Sequence, residues 1–239
     1  MERIFVSIFA AMVMLVATLG AQASAGANDL PVDSEAEVEA DAVLTDDPLI
    51  PDNVDLPPEF QVAGTTSFAY GSDGSRTYFD APSASAAANW DSICGNGKSR
   101  YSVVDDYTRS GKHSRFERSY ARMYCGKKDR TSATPHSEAA FGLRHVRAYH
   151  RSQFAKLASW QGLSWGTWAS WAIENTLRSP VWRTVQSSTR FCYEGRFGFR
   201  NPSGSVVNRR VIVILGKTGV RIMTSFPRKD TVYCQGKGF

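Results

Sequence analysis

Two histidines stand close together in one arginine-bearing segment of the chain. His145 and His150 are five positions apart, and Arg144, Arg147 and Tyr149 lie beside them. Histidine titrates near neutrality and can take or give a proton, as cleavage of RNA without a metal requires. In that reaction a base deprotonates the 2′-hydroxyl, an acid protonates the leaving 5′-oxygen, and a cation stabilises the phosphorane. The segment therefore predicts His145 and His150 as proton-transfer residues.

The spacing of the two histidines sets a condition on the helix that carries them. Leu143, Val146 and Phe154 recur at helical spacing, and His150 falls on their apolar stripe. Five residues of a regular helix turn the chain by about 500°, which places the two imidazoles about 140° apart. They can face one small site only if the helix begins or ends between them. Otherwise one histidine is structural.

Arginines near the C-terminus are the second set of candidates. Residues 189–199, 206–215 and 220–226 alternate in polarity and predict three strands of an antiparallel meander. A turn at Gly216–Gly219 would set Leu215 opposite Val220.

This register determines which arginine shares a face with the other polar residues of the meander. It places Arg210 opposite Ser225, and Arg209 on the face of Thr224 and Phe226. A bulge or a one-residue slip would exchange the two faces. Arg209 and Arg210 are thus alternative ligands for a phosphate.

The run Phe141-Gly-Leu-Arg-His-Val-Arg-Ala-Tyr-His150 and the ending Val220-Arg-Ile-Met-Thr-Ser-Phe-Pro227 resemble secreted bacterial ribonuclease toxins. These belong to the superfamily that groups barnase, EndoU, the tRNA-cutting colicins and RelE. The resemblance covers roughly residues 138–227. It implies a BECR-like fold, with a helical part before a four-stranded antiparallel sheet, and cleavage of RNA without metal.

The resemblance also implies roles for individual positions. It assigns proton transfer to His145 and His150, and phosphate binding to Arg209 or Arg210. It assigns substrate orientation to Thr224. Further substrate contacts are expected from the neighbouring polar residues Arg144, Arg147, Tyr149 and Ser225.

The cysteines predict two disulfide bonds. There are four in the chain, with no C-x-x-C pair to suggest zinc. Two predicted strands around Ser110-Gly111 form a hairpin, and Cys94 and Cys125 are almost symmetric about its turn. We therefore expect a Cys94–Cys125 bond, which leaves Cys192 to pair with Cys234.

Helical signals between the hairpin and the meander complete the fold class. Ser164 is a predicted N-cap of a helix that reaches Leu177 and is stopped by Pro180. Its stripe of tryptophans, Trp165, Trp168 and Trp171, predicts a buried face. The expected fold is α+β, with an N-terminal hairpin and helices followed by a C-terminal antiparallel sheet.

The N-terminus predicts export from the cell. Glu2 and Arg3 precede an apolar run over Ile4–Leu19, and Ala23-Ser24-Ala25 is a small-residue cleavage signal. Residues 1–25 are therefore predicted to be a signal peptide. Because the run is barely long enough to span a bilayer and lacks a basic stop-transfer flank, no stable membrane insertion is expected.

Acid and base are separated along the chain. Residues 26–60 have eleven acids and no Lys or Arg, whereas the residues beyond 60 have 27 Lys and Arg against 11 Asp and Glu, a net charge of +16. Residues 26–88 are predicted to be a disordered leader, either a propeptide or a spacer, and residues 89–239 a basic domain. Such a domain attracts polyanions.

These observations favour a secreted, metal-independent ribonuclease toxin that needs no cofactor and acts on RNA. An immunity protein, or the acidic leader itself, would mask it in the producing cell. The alternative is a non-enzymatic module that binds a polyanion or the cell wall. A carboxylate-based hydrolase is disfavoured because the basic domain has few acids and no evident carboxylate pair.

Overall fold

The computed structural model of the chain describes residues 54–79, 90–111, 119–129, 140–216, 218 and 220–238. The predicted signal peptide, the leader up to residue 53 and residues 80–89 lie outside these ranges. In chain order the elements are a 3₁₀ turn (Pro58–Phe60), β1 (Thr66–Tyr70), β2 (Arg76–Tyr78), β3 (Val103–Thr108), β4 (Tyr120–Tyr124), α1 (Gly142–Tyr149), α2 (Arg151–Ser159), α3 (Trp165–Arg178), β5 (Trp182–Ser187), β6 (Arg190–Arg200), β7 (Val206–Leu215), β8 (Ile222–Lys229) and β9 (Lys237–Gly238). No helix within the described ranges is long and apolar enough to cross a membrane.

The fold is α+β, with helices packed against an antiparallel sheet of seven strands. β6 is the central strand: one edge pairs with β7 along its length, and the other pairs with β5 through its first half and with β1 through its second. β8 extends the sheet beyond β7, whereas β2 and β9 extend it beyond β1 and β5. Four strands had been expected from the resemblance, whereas the sheet of the described residues has seven.

The tryptophan stripe of α3 forms the centre of the core, as its spacing predicted. Trp165, Trp168 and Trp171 are all buried, and the Trp168 ring stacks on Phe199 of β6 at 5.8 Å between centroids. Ser164 is the N-cap, because its hydroxyl oxygen accepts a hydrogen bond from the Thr167 amide at 3.1 Å. Burial of these rings stabilises α3 against the sheet.

The prediction of a disordered leader through residue 88 is wrong for residues 54–79. Val54, Leu56 and Phe60 are buried, and β1 pairs with β6 from Thr66↔Arg200 to Tyr70↔Arg196. The five residues of β1 lie between Gly/Ser-rich flanks, so composition conceals a strand that its pairing with β2 and β6 stabilises. The described part of the domain therefore begins at Val54.

Both predicted disulfide bonds are confirmed. Cys94 is bonded to Cys125 and Cys192 to Cys234. The hairpin that brings the first pair together is β3–β4, with Thr108 opposite Tyr120. Its connection includes residues 112–118, which lie outside the described ranges.

The predicted register of the last two long strands is wrong by three residues. Arg210 lies opposite Arg228, not Ser225, and Ile214 lies opposite Thr224. The cause is a longer connection, since β8 begins at Ile222 and the pairing is irregular between Ile214 and Leu215. An odd shift exchanges the two faces, so Arg210 now shares the face of Thr224 and Phe226.

Candidate functional site

The helix that carries the two histidines is broken between them. α1 ends at Tyr149 and α2 begins at Arg151, with His150 between them in a non-helical conformation (φ −123°, ψ −4°). The imidazole centroids of His145 and His150 are consequently 5.7 Å apart. The condition that helical geometry imposes on a shared site is therefore met.

Two glycines position α1 against the end of β4. Gly126 and Gly142 both have positive φ, and a Cβ on either would collide with the backbone of the other segment. Their close approach allows the amide of Lys127 to donate to the Phe141 carbonyl at 2.9 Å, and the reverse bond forms at 3.2 Å. This pairing carries the next residue, Lys128, to the first turn of α1.

His145 is held in one orientation by that contact. Its side chain is buried, at 5% exposure, and its Nδ1 lies 3.0 Å from the carbonyl oxygen of Lys128. A carbonyl oxygen only accepts, so Nδ1 carries the hydrogen and Nε2 is the atom that can receive a proton. The Tyr149 ring contacts the imidazole at 5.0 Å between centroids, and the Tyr149 hydroxyl donates to Asp129.

His150 is a core residue on the other side of the pair. It is 1% exposed, packs on the Phe226 ring at 5.1 Å and has its Nδ1 3.0 Å from Oε1 of Gln153. Burial lowers the pKa of His150 from 6.5 to about 4, with the Gln153 hydrogen bond opposing the shift and the charge of His145 adding to it. The imidazole is therefore neutral at pH 7.

Thr224 and Ser225 lie next to each other on β8 but have different surroundings. Thr224 shares the face of Phe226, and its buried Oγ1 has no hydrogen-bond partner among the residues that the structure describes. Ser225 points to the opposite face, where its hydroxyl donates to the Ile212 carbonyl at 2.8 Å. Thr224 thus lies on the face against which His150 packs, whereas Ser225 has a structural contact.

The two candidate arginines of β7 both have protein partners. Arg210 forms ion pairs with Glu194 and, at 2.9 Å, with Asp230. On the opposite face, the Nε of Arg209 donates to the Val54 carbonyl at 3.1 Å, and its Nη2 donates to the Asp55 carbonyl. Of the two alternatives, only Arg210 shares the face of Phe226 and Thr224, and its charge is balanced by two carboxylates.

Two arginines near the histidines bind backbone carbonyls close to the Cys94–Cys125 disulfide bond. The guanidinium of Arg144 donates to the carbonyl oxygens of Cys94, Gly95, Gly126 and Lys98. Arg147 donates to the Asp91 carbonyl at 2.6 Å. Both arginine side chains therefore bind protein backbone, whereas they had been expected to bind the substrate.

Arg228 is a cation on this face that the sequence analysis missed. It lies opposite Arg210, its guanidinium carbon is 4.9 Å from the centroid of the Tyr233 ring, and that ring packs on Phe226 at 5.2 Å. Because Arg228 follows Phe226 by two residues, strand alternation could have placed both on one face. Three other residues of this region contact the candidate site, and no sequence pattern could have predicted these contacts: Gln153, Asp129 and Tyr233.

No group of three or more His, Cys, Asp or Glu side chains suited to a metal ion occurs within the described residues. Compared with protein-family models, curated proteins and solved structures, the chain shows no significant match. Its function is therefore inferred from the geometry and chemistry of its own residues.

Proposed function

We propose that this chain is a secreted ribonuclease that cleaves RNA through attack of the 2′-hydroxyl on the adjacent phosphorus, with His145 as the residue that transfers the proton. The observation that carries the proposal is the break between α1 and α2, which brings the rings of His145 and His150 to 5.7 Å. An uninterrupted helix would place them on different faces.

The surroundings of the two histidines support different roles for them. The Lys128 carbonyl orients His145 so that its Nε2 can accept the 2′-hydroxyl proton. His150 is buried and neutral at pH 7, which fits a positioning residue that supports the site from the Phe226 side. We assign donation of a proton to the leaving 5′-oxygen to the Tyr149 hydroxyl next to His145, whose hydrogen would turn from Asp129 to that oxygen when RNA is bound.

The remaining two roles fall to residues of β8. Thr224 has a buried hydroxyl without a partner in the described structure, which suits orientation of the substrate. Arg228 is our assignment for the cation near the phosphorane, because it lies opposite Arg210 on the face of Phe226 and Thr224.

Charge and topology are consistent with RNA as the substrate. From residue 54 onward the sequence has 27 Lys and Arg against 13 Asp and Glu, an excess that favours a polyanionic ligand. Three helices precede the consecutive antiparallel strands β5, β6, β7 and β8, and this succession supports our proposal of a BECR-like fold. Export with an acidic leader, or beside an immunity protein, would protect the producing cell.

The proposal is tested with total RNA and an excess of EDTA. The purified mature protein should release discrete fragments that end in a 2′,3′-cyclic phosphate. RNA in which the 2′-hydroxyls are methylated should remain intact, because the attacking oxygen is blocked. Tight binding of RNA without any cleavage would instead favour the alternative function, a non-enzymatic polyanion-binding module.

A further inference from the structure

An arginine-rich row crosses the outer face of the sheet, which is the face that carries Phe226 and Thr224, on the side away from α3. The row consists of directly opposed residues of five neighbouring strands: Arg76 (β2), Tyr70 (β1), Arg196 (β6), Arg210 (β7) and Arg228 (β8). Side chains of directly opposed residues lie on the same face of a sheet. With strands about 4.8 Å apart, the row is about 19 Å long. It leads from the edge strand β2 to the candidate site.

Two aromatic rings lie beside the β2 end of this row. Tyr78, Phe68 and Gly198 are directly opposed on β2, β1 and β6, and each is two positions from a member of the row, so all three share the outer face. The Phe68 ring lies on Gly198, where a Cβ would collide with it. Phe68 is fully buried, whereas Tyr78, which packs on Phe68 at 5.4 Å between centroids, is 48% exposed. Tyr78 is therefore an exposed ring on a rigid support.

Two guanidiniums lie over the same aromatic cluster. The guanidinium carbon of Arg76 is 4.9 Å from the ring centroid of Phe68 and 5.7 Å from that of Tyr70. The guanidinium carbon of Arg200, on β6, is 5.9 Å from the Phe68 centroid. These cation–π contacts hold both positive charges around the ring on which Tyr78 packs.

The positive charge is balanced at the centre of the row but not at its β2 end. At the centre, two arginines share two carboxylates in the ion pairs Arg196–Asp230, Arg210–Asp230 and Arg210–Glu194. Neither Arg76 nor Arg200 forms an ion pair with another residue that the structure describes, and the buried Nε of Arg200 has no hydrogen-bond acceptor among those residues. Within the described part of the chain, the unbalanced charge of this face therefore lies around Tyr78, where it attracts an anionic ligand.

We propose that the β2 end of the outer face binds single-stranded RNA, with a base stacked on Tyr78 and phosphates bound by Arg76 and Arg200. An exposed aromatic ring between arginines binds the base and the backbone of a single strand together. The row continues across the sheet to Arg228, the cation assigned to the phosphorane, so one RNA strand can reach both places. The inference rests on the proposed function for the identity of the ligand as RNA.

Two substitutions at one position test the stacking on Tyr78. Tyr78→Phe keeps the aromatic ring, whereas Tyr78→Leu keeps an apolar side chain on Phe68 without the ring. The mature protein with Tyr78→Leu should bind an uncleavable 2′-O-methyl oligonucleotide of about ten nucleotides about tenfold more weakly, and Tyr78→Phe should bind it within about twofold of the wild type. Inorganic polyphosphate, which has no bases, should bind both variants equally. Equal oligonucleotide affinities of the two variants, or equal losses of both ligands on Tyr78→Leu, would overturn the stacking role.

The salt dependence of oligonucleotide binding tests the phosphate contacts. Loss of one phosphate contact to a single strand reduces the slope of log K against log salt by about 0.7. We expect this reduction for Arg76→Gln and for Arg200→Gln, whereas Arg76→Lys keeps the charge and should keep the slope. The control Arg178→Gln removes one charge from α3, where the side chain is 59% exposed, and should reduce the slope less. An equal reduction in the control and in the outer-face variants would overturn the phosphate contacts.

The outcomes separate this surface from the proposed function. Oligonucleotide binding that depends on the Tyr78 ring, in a protein that cuts no RNA, would support the surface and refute the ribonuclease. Equal cleavage by Tyr78→Leu and Tyr78→Phe at low RNA concentration would refute the surface and support the ribonuclease. Self-association of the wild type that Tyr78→Leu abolishes would overturn the proposal and assign this face to a second copy of the chain.

Discussion

The guanidinium of Arg209 donates to the carbonyl oxygen of Val54 at 3.1 Å and so fixes the start of the described chain to β7. A second hydrogen bond goes to the Asp55 carbonyl, and the Asp55 side chain forms an ion pair with Lys156 at 2.8 Å. Val54 and Leu56 are buried beside these contacts. The residues just after the acidic leader are therefore part of the domain, and Arg209 has a structural role.

We expect Arg209→Ala to lower the free energy of unfolding by about 2–4 kcal/mol. The substitution leaves carbonyl groups without their charged donor in a buried place, which costs more than the net value of ordinary hydrogen bonds. Urea denaturation of the mature protein measures the effect. Arg151→Ala, which breaks an exposed ion pair with Asp91, should change stability by less than about 1 kcal/mol. Equal stabilities of the two variants would contradict a structural role for Arg209.

The acidic leader should weaken RNA binding electrostatically. Residues 26–53 have nine acids and no Lys or Arg, and they lead into Val54. The mature chain from residue 26 should therefore bind RNA more weakly than one from residue 54, and added salt should reduce the difference. Titration with a labelled, uncleavable RNA at two salt concentrations checks this. Equal affinities at low salt would make the leader a plain spacer.

The position of the truncation matters for that experiment. A chain from residue 61 would lack the buried residues Val54, Leu56 and Phe60. We expect it to be destabilised, so that a change in its RNA affinity would not report on masking. Thermal unfolding of the chains from 54 and from 61 separates the two effects.

Local sequence signals predicted the elements that depend on local interactions. The tryptophan spacing identified the buried face of α3, and the near-symmetry of Cys94 and Cys125 about a turn identified their bond. The register of β8 could not be obtained this way, because one irregular pairing, between Ile214 and Leu215, changes which residues lie opposite each other along the whole strand. β1 was missed for a similar reason, since its pairing with β6 is non-local.

The candidate site was predictable in its histidines but not in its arrangement. No Pro or Gly marks the break at His150, and the apolar spacing continues through it from Val146 to Phe154. The contacts of His150 with Phe226 and of His145 with Lys128 are both tertiary. The spacing of the two histidines showed that a shared site requires a break in the helix. Whether the break is present could be seen only in the folded structure.

The stability of the protein should fall as the pH drops from about 6.5 to about 4, because of His150. Its folded pKa of about 4 lies below the ordinary value of 6.5, so the unfolded chain binds more protons in this window. The stabilisation is complete above pH 6.5, and about 3 kcal/mol of it is lost by pH 4. Carboxylates with lowered pKa, such as Asp230, titrate below this range.

Urea denaturation at pH 7 and at pH 4.5 measures this loss. His150→Gln cannot take up the proton, so its free energy of unfolding should change less between the two pH values, even if it is lower at both. If the free energy of unfolding falls equally between pH 7 and pH 4.5 in the variant and in the wild type, a group other than His150 is responsible for the loss.

The decisive variant for catalysis is His145→Asn, because it removes the proton acceptor and is expected to leave the fold intact. The Asn amide can still donate to the Lys128 carbonyl, so this contact with α1 can be retained, but no basic nitrogen remains to take up the 2′-hydroxyl proton. Cleavage should slow by roughly 10²–10⁴-fold, while the melting temperature and the affinity for uncleavable RNA stay close to wild type. His150→Gln should instead lower stability, because His150 is buried against Phe226, and should reduce the rate less at temperatures where the variant remains folded. Wild-type rates in His145→Asn would exclude His145 as the proton-transfer residue.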